Sequence, residues 1–136
     1  MSQYNIVRNS SFISNTSSGT GDVSLTWAQL ESLIDGVTTS GGVTVSGSDI
    51  LCLDVDLSQR IKVDGVHLYA SDMGKSSNVK FYYRNATTGD YISLSTVSGS
   101  TYYSTTVPDP SAPQCVRVTV SGVNITLYEF EIFNDA

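Results

Sequence analysis

Charge is scarce in this 136-residue chain: 15% of its residues are charged, against about a quarter in an ordinary soluble domain. Seven Lys and Arg are scattered along it and the formal net charge is -6. Phosphate binding needs clustered cations, so the composition argues against a nucleic-acid partner and against docking on an anionic membrane surface. No run of about twenty apolar residues is present to span a bilayer. The single histidine, His67, stands on the outward face between Val66 and Leu68, and any histidine acid-base or nucleophilic chemistry would have to pass through it. Two cysteines with one histidine make no zinc cluster. There is no GxSxG, HExxH, phosphate loop or dinucleotide fingerprint, so no catalytic residue and no enzyme activity are expected. The opening MSQYNIVRNSSF lacks the basic-then-apolar layout of a signal peptide, which points to synthesis without secretion or to excision from a larger precursor.

What the chain has instead is Ser and Thr, together more than a quarter of it, with eleven glycines, eight tyrosines and many valines. That mixture favours short strands joined by polar turns. Apolar residues still reach 40% and recur regularly, so disorder is not expected. In Asp49 to Tyr69, Leu51, Leu53, Val55 and Leu57 fall on one face, with Cys52, Asp54 and Asp56 on the other. After Ser58-Gln59-Arg60 the alternation resumes at Ile61, Val63, Val66 and Leu68, with one slip at Asp64-Gly65. A period of two over neighbouring runs is the mark of half-buried antiparallel strands.

The rest of the chain extends this pattern. A polar leader runs to about Thr20, and one short helix is expected near residues 26-35. Thr26 and Gln29 form its capping box, Leu30, Leu33 and Ile34 share a face, and Gly36 ends it. A loop from Val37 to Ser48 follows, with room for an edge strand at Val43 to Val45. VKFYYR, YISLSTV, residues 102 to 107, CVRVTVSG and ITLYEFEIF read as further strands, and PDPSAP as a proline-bounded interruption. About eight short strands in a single domain over residues 1-136 describe an all-β antiparallel sandwich of jelly-roll type. If successive strands run antiparallel, the loops 37-49, 70-78, 97-101 and 121-124 gather at one end, here the far end, where recognition usually sits.

In order, LIDG, CLDVDLSQRIKVDGVHLY, VKFYYR, TGDYISL, QCVRVTVSG and YEFEIF resemble the discoidin family, the coagulation factor V/VIII type C domains, over roughly residues 25 to 134. The pattern departs from the family where tryptophans are usual: none follows the DG element, Cys52 starts the strand, and Tyr91 follows the middle turn. The cysteine pair that often staples the ends of such domains is also missing. The resemblance implies a galactose-binding-domain-like jelly roll without catalysis that attaches to a glycan or another cell-surface ligand. It also implies a structural calcium ion held by Asp35 and Glu129, with carbonyls near Ser32, Val37 and Thr38 as further oxygen ligands.

Individual residues carry alternatives. Sugar recognition needs aromatic faces for ring C-H groups and planar polar groups for hydroxyls, and the far-end loops offer Asp49, Tyr69, Asp72, Lys75, Asn78 and Tyr102 as the ligand-binding set. Tyr82, Arg84 and Tyr91 make a second cluster on strand faces toward the other end. Each tyrosine reads first as a half-buried strand residue with a wet hydroxyl, and Trp27 reads as a helix-to-sandwich anchor. Asp54 and Asp56 share a strand face about 7 Å apart, as glycosidase carboxylates can, but an ion pair with Arg117 explains them better. Cys52 and Cys115 are compatible with a disulfide or with separate thiols. Sequons begin at Asn9, Asn15, Asn85 and Asn124, which a chain so rich in Ser and Thr produces by chance. Two functional classes fit: a recognition module on an extracellular surface, cell surface or virion, and a structural particle or adhesin component that makes homo-oligomer or other particle contacts without a small ligand.

Overall fold

The computed structural model describes residues 3–5, 13–15, 23–57, 63–84, 88–107 and 115–135. The breaks expected at Ser58-Gln59-Arg60 and PDPSAP, the start of the second run at Ile61, and the sequons at Asn9 and Asn85 lie outside them. Eleven strands are described: β1 (Gln3–Asn5), β2 (Ile13–Asn15), β3 (Val43–Val45), β4 (Ile50–Asp56), β5 (Gly65–Ala70), β6 (Val79–Arg84), β7 (Tyr91–Leu94), β8 (Val97–Ser98), β9 (Tyr102–Thr106), β10 (Cys115–Ser121) and β11 (Ile125–Asp135). They form two antiparallel sheets. One runs β1-β11-β5-β9-β8 with β3 also paired to β11, and the other runs β2-β4-β10-β6-β7.

The aliphatic alternation selects the faces that meet between the sheets. Val55, Leu68 and Val118 are at most 1% exposed, and Leu51, Leu53, Phe81, Tyr103, Phe130 and Ile132 are fully buried beside them. Each such side chain contributes roughly 1.5–3 kcal/mol by leaving water. The mean core is therefore set by the even-spaced residues of β4, β5, β6, β10 and β11, as the sequence pattern predicts.

Three expectations need correction. The leader is not merely polar: residues 3–5 pair with β11 and residues 13–15 with β4. YISLSTV is not one strand, because β7 pairs with β6 in one sheet and β8 with β9 in the other. Between them Thr96 donates to the Val79 carbonyl at 2.8 Å, fixing the point where the chain changes layers. The helix, α1 (Trp27–Glu31), is shorter than residues 26-35. Its capping box forms as expected, Thr26 N to Gln29 Oε1 at 2.9 Å and Gln29 N to Thr26 Oγ1 at 3.3 Å. Beyond Glu31 the helix gives way to tighter turns, Leu33 N to Leu30 O and Ile34 N to Glu31 O. The Leu33 carbonyl is then free to accept from Phe130 N of β11 at 2.6 Å. Leu33 and Ile34 are fully buried whereas Trp27 is 47% exposed, so the aliphatic pair anchors the helix and the tryptophan does not.

The pairing registers put residues 37–49, 70–78, 95–101 and 121–124 at one end. Tyr69 lies opposite Tyr102 and Ser121 opposite Ile50, and Ser121 N donates to Asn78 O. The far-end cluster inferred by counting strands is thus present.

Candidate functional site

β11 carries the local irregularity that shapes the far end. Leu127 pairs with Ala70 and Glu129 with Tyr69, so Tyr128 is an extra residue and the strand bulges there. A bulge shifts the side-chain phase and re-aims a residue: Leu127 and Phe130 both face the core, and Glu129 and Tyr128 are released from it. Gly42 packs against this bulge. It has φ of 76°, and a Cβ there would stand 1.7 Å from the Leu127 carbonyl oxygen, so only glycine lets the 37–49 loop lie this close.

Glu129 belongs to the outer face of its sheet, yet it is fully buried because the tail of α1 lies over it. Its Oε2 accepts from Gly36 N at 2.7 Å, while Oε1 is buried without a hydrogen-bond partner. Burial raises its pKa to about 8, offset in part by the Gly36 N–H and reinforced by the neighbouring Asp35 carboxylate. Asp35 accepts from Val37 N at 2.9 Å. The two carboxyls are therefore brought together at the Gly36 turn. Among the described residues no group of three or more His, Cys, Asp or Glu is placed to hold a metal. A hard cation here would complete its shell with backbone carbonyls and water, which calcium accepts.

Beside the bulge, three loops and the ends of β5 and β11 surround a hollow of about 330 Å³. Tyr69 and Tyr128 wall it, Met73 adds an apolar patch, and Thr38, Ser71 and Thr101 are among the hydroxyl-bearing residues of its rim. None of its lining residues is charged. Tyr69 leads into an aromatic row along the outer sheet face, its ring 5.0 Å from that of Tyr102, which stacks on His67 at 4.1 Å. His67 Nδ1 lies 3.6 Å from Glu131 Oε1. Burial, then the Glu131 charge, raises the Tyr69 pKa, keeping its hydroxyl a neutral donor.

Of the six expected ligand-binding residues, Tyr69 lines the hollow, and Tyr102 stands beside it on the outer sheet face without lining it. The side chains of Asp49, Asp72 and Asn78 hold turns, and neither they nor Lys75 line it. Asp49 Oδ2 accepts from Ser46 N at 3.2 Å, and Asp72 Oδ1 from Gly74 N at 2.8 Å. Asn78 Nδ2 donates to Ser121 O at 3.0 Å, tying two loops. Lys75 N donates to the buried Tyr103 hydroxyl at 2.8 Å, and that hydroxyl donates to Asp72 O at 2.5 Å. Turn-rich loops place carboxylates and amides where their own backbone N–H groups need acceptors, which accounts for these side chains without a ligand. The missed lining residues, Thr38, Ser71, Thr101 and Tyr128, carry one signal: the period of two in ITLYEFEIF breaks between Leu127 and Phe130.

On the opposite sheet, Arg117 makes the expected ion pair with Asp54, through Nε at 2.6 Å and a second nitrogen at 2.9 Å. Its guanidinium carbon sits 3.9 Å from the centre of the Tyr91 ring. The cysteines are separate thiols. Cys115 lies opposite Asp56 and Cys52 opposite Thr119, four residues apart along β4, or about 13 Å, too far for a disulfide. Burial and then Asp54 push the Cys115 thiol up to about 11, so it is not a nucleophile at neutral pH.

No protein-family model and no curated protein matches the sequence. Solved structures do match in fold. A CBM32 module produced by Clostridium perfringens, solved with GlcNAc-α-1,4-galactose, superposes with a TM-score of 0.66 at 17% identity, over 98% of this chain and 95% of that one. Chitosan-binding module 1 of a chitosanase/glucanase from Paenibacillus sp. IK-5 gives 0.65 at 21% identity, over 96% and 99%. The lectin domain of lectinolysin, solved with Lewis B antigen, gives 0.64 at 20% identity, over 98% of each chain. The fold is that of the galactose-binding-like, discoidin-type carbohydrate-binding modules, as the resemblance in the sequence implies.

Proposed function

We propose that this chain is a non-enzymatic glycan-binding module whose ligand, a neutral sugar at a chain end, seats in the far-end hollow between Tyr69, Tyr128 and the 70–73 and 99–101 loops. The observation that carries this reading is the lining itself: tyrosine and methionine beside uncharged hydroxyls, in about 330 Å³, the lower end of the range of ligand sites. Tyrosine faces cover sugar C-H groups while Ser and Thr bond hydroxyls. Sharing a fold with modules solved with GlcNAc-α-1,4-galactose and Lewis B supports galactose- and N-acetylglucosamine-bearing glycans as the first ligands to try. The setting that suits such a module is an extracellular surface, of a cell or of a particle.

Calcium fits as a structural ion. Asp35 and Glu129 would hold it, with carbonyls of the 32–38 segment, and its charge would neutralise the buried Glu129 and order the loop beside the hollow. No sugar chemistry is asked of it.

Titration with galactose- and N-acetylglucosamine-terminated oligosaccharides tests the site. Tyr69→Ala should weaken binding about tenfold or more, and Thr101→Arg, which fills the hollow, should abolish it. Binding indifferent to both changes would refute the assignment. For calcium, a chelator should lower the melting temperature of the parent and leave Asp35→Ala unaffected; equal melting of the parent with and without chelator removes the ion from the account.

A further inference from the structure

The outer face of the β4-β10-β6-β7 strands carries a second constellation, on the opposite layer from the hollow described above. The registers set two cross-strand rows side by side. One reads Asp54, Arg117, Tyr82, Ser93 and the next Asp56, Cys115, Arg84, Tyr91. Tyr91 leans from its own row over Arg117, and its hydroxyl points to Cys115 Sγ at 3.8 Å. On one side of Tyr91 lies a recess of about 200 Å³ walled by Tyr82, Arg117 and Thr119. On the other lies one of about 220 Å³ that includes Asp54, Asp56 and Arg84. Tyr91 is common to both.

We propose that this face is a second glycan site, a shallow groove that takes consecutive residues in the interior of a neutral polysaccharide chain. Three observations carry it. The first is the chemistry of the surface: Tyr91, 38% exposed, and half-buried Tyr82 offer ring faces, two aspartates accept hydroxyls, and two guanidiniums donate in the plane. Aromatic faces interleaved with planar hydrogen-bonding groups match a ring that is apolar above and below and hydroxylated at its edge. The second is charge. Among the residues lining the two recesses, two arginines and two aspartates cancel, and Lys80, across from Thr119, adds one exposed cation at the rim, so the groove holds no cluster of cations for a uronate, sialate or phosphate. The third is preorganisation. Arg117 is fixed by two bonds to Asp54, and Arg84 Nε donates to Gly89 O at 3.2 Å. Little side-chain freedom remains to be lost on binding. Two recesses divided by one ring suit a chain lying across the sheet, whereas the far-end hollow is a single pocket suited to a terminus.

The site shares no residue with the far-end hollow, so the two readings fail independently. The test follows the Tyr82 and Tyr91 ring signals and the Arg117 Nε–H by NMR during titration with β-1,4-linked tetrasaccharides of glucose and of N-acetylglucosamine. A tetragalacturonate serves as the charged control. At least one neutral tetrasaccharide should shift these signals, and more strongly than its monosaccharide does. Tyr91→Ala should weaken that binding about tenfold, and Thr119→Gln, which narrows the first recess without touching the ion pair, should weaken it too. Tyr69→Ala should leave it unchanged. The proposal is overturned if no neutral tetrasaccharide perturbs these groups, if the tetragalacturonate binds more tightly, or if Tyr91→Ala and Thr119→Gln both bind as the parent does. Sedimentation showing a dimer that Tyr91→Ala dissociates would also overturn it, since a second copy would then cover the face.

Discussion

The far end and the β4-β10-β6-β7 face are built in opposite ways from the same alphabet. At the far end, side chains hold backbone: Asp49, Asp72, Asn78 and Tyr103 spend their polar atoms on turns, and the hollow is lined by what those turns leave over. On the sheet face, backbone holds side chains: the ladders of β4, β6 and β10 set Asp54, Arg117 and Tyr82 in one row without a loop's help. A site of the first kind changes shape with any residue that fixes a turn. One of the second kind changes only with the residues that form it.

The comparison can be broken most forcefully at Gly42. Gly42→Ala must leave a left-handed conformation and a contact with the Leu127 carbonyl, so it should cost at least about 3 kcal/mol, seen as a lower urea midpoint. It should also abolish far-end binding and spare the sheet-face signals; loss of both together would mean that the two regions are not independent. Asp54→Ala is the counterpart. It strands a largely buried Arg117, with side-chain exposures of 16% and 14% for the pair, and should cost about 3 kcal/mol while leaving the far-end hollow unchanged. Tyr103→Phe removes the hydroxyl that joins Lys75 N to Asp72 O, for about 1–3 kcal/mol. Hydrogen exchange should then quicken in residues 71–78 and not in β10.

A gentler probe is pH. In the metal-free protein Glu129, buried and raised to about 8, keeps in the folded state a proton that the unfolded chain releases near the usual carboxylate range. Stability should therefore fall as pH rises from about 4.5 to about 8. Glu129→Gln should flatten that slope, and an unchanged slope would show that another group governs it. Smallest of all, Tyr91→Phe gives up only a long contact to Cys115 Sγ and should move stability by under about 0.5 kcal/mol, because the stack on Arg117 stays.

Most strand faces were legible in the sequence because burial and pairing enforce the same period of two. Leu51 to Leu57 and Val79 to Tyr83 could be read directly, as could the partnership of Asp54 with Arg117. The failures have a common physical source: a decision made by a distant segment. Residues 3–5 and 13–15 are strands only because β11 and β4 offer them an edge. YISLSTV divides because Val79 captures Thr96. The helix stops early because Phe130 claims the Leu33 carbonyl. The turn roles of Asp49 and Asp72 were not legible, since a sequence shows that a carboxylate lies in a loop and not which N–H it will satisfy. Tyr69 and Tyr102 were legible as border residues of strands; Tyr128 was hidden by a bulge, whose trace was one missed beat.

β11 is bonded along one side by β5, and along the other by β3 at its start and β1 at its finish. In the gap between those two short strands, the Leu33 carbonyl and the Gly36 amide lie against Phe130 and Glu129. A bare stretch of strand invites a foreign chain to zip onto it, and here a spent helix end serves as the stopper. Loosening that stopper would expose an adhesive seam along the longest of the described strands.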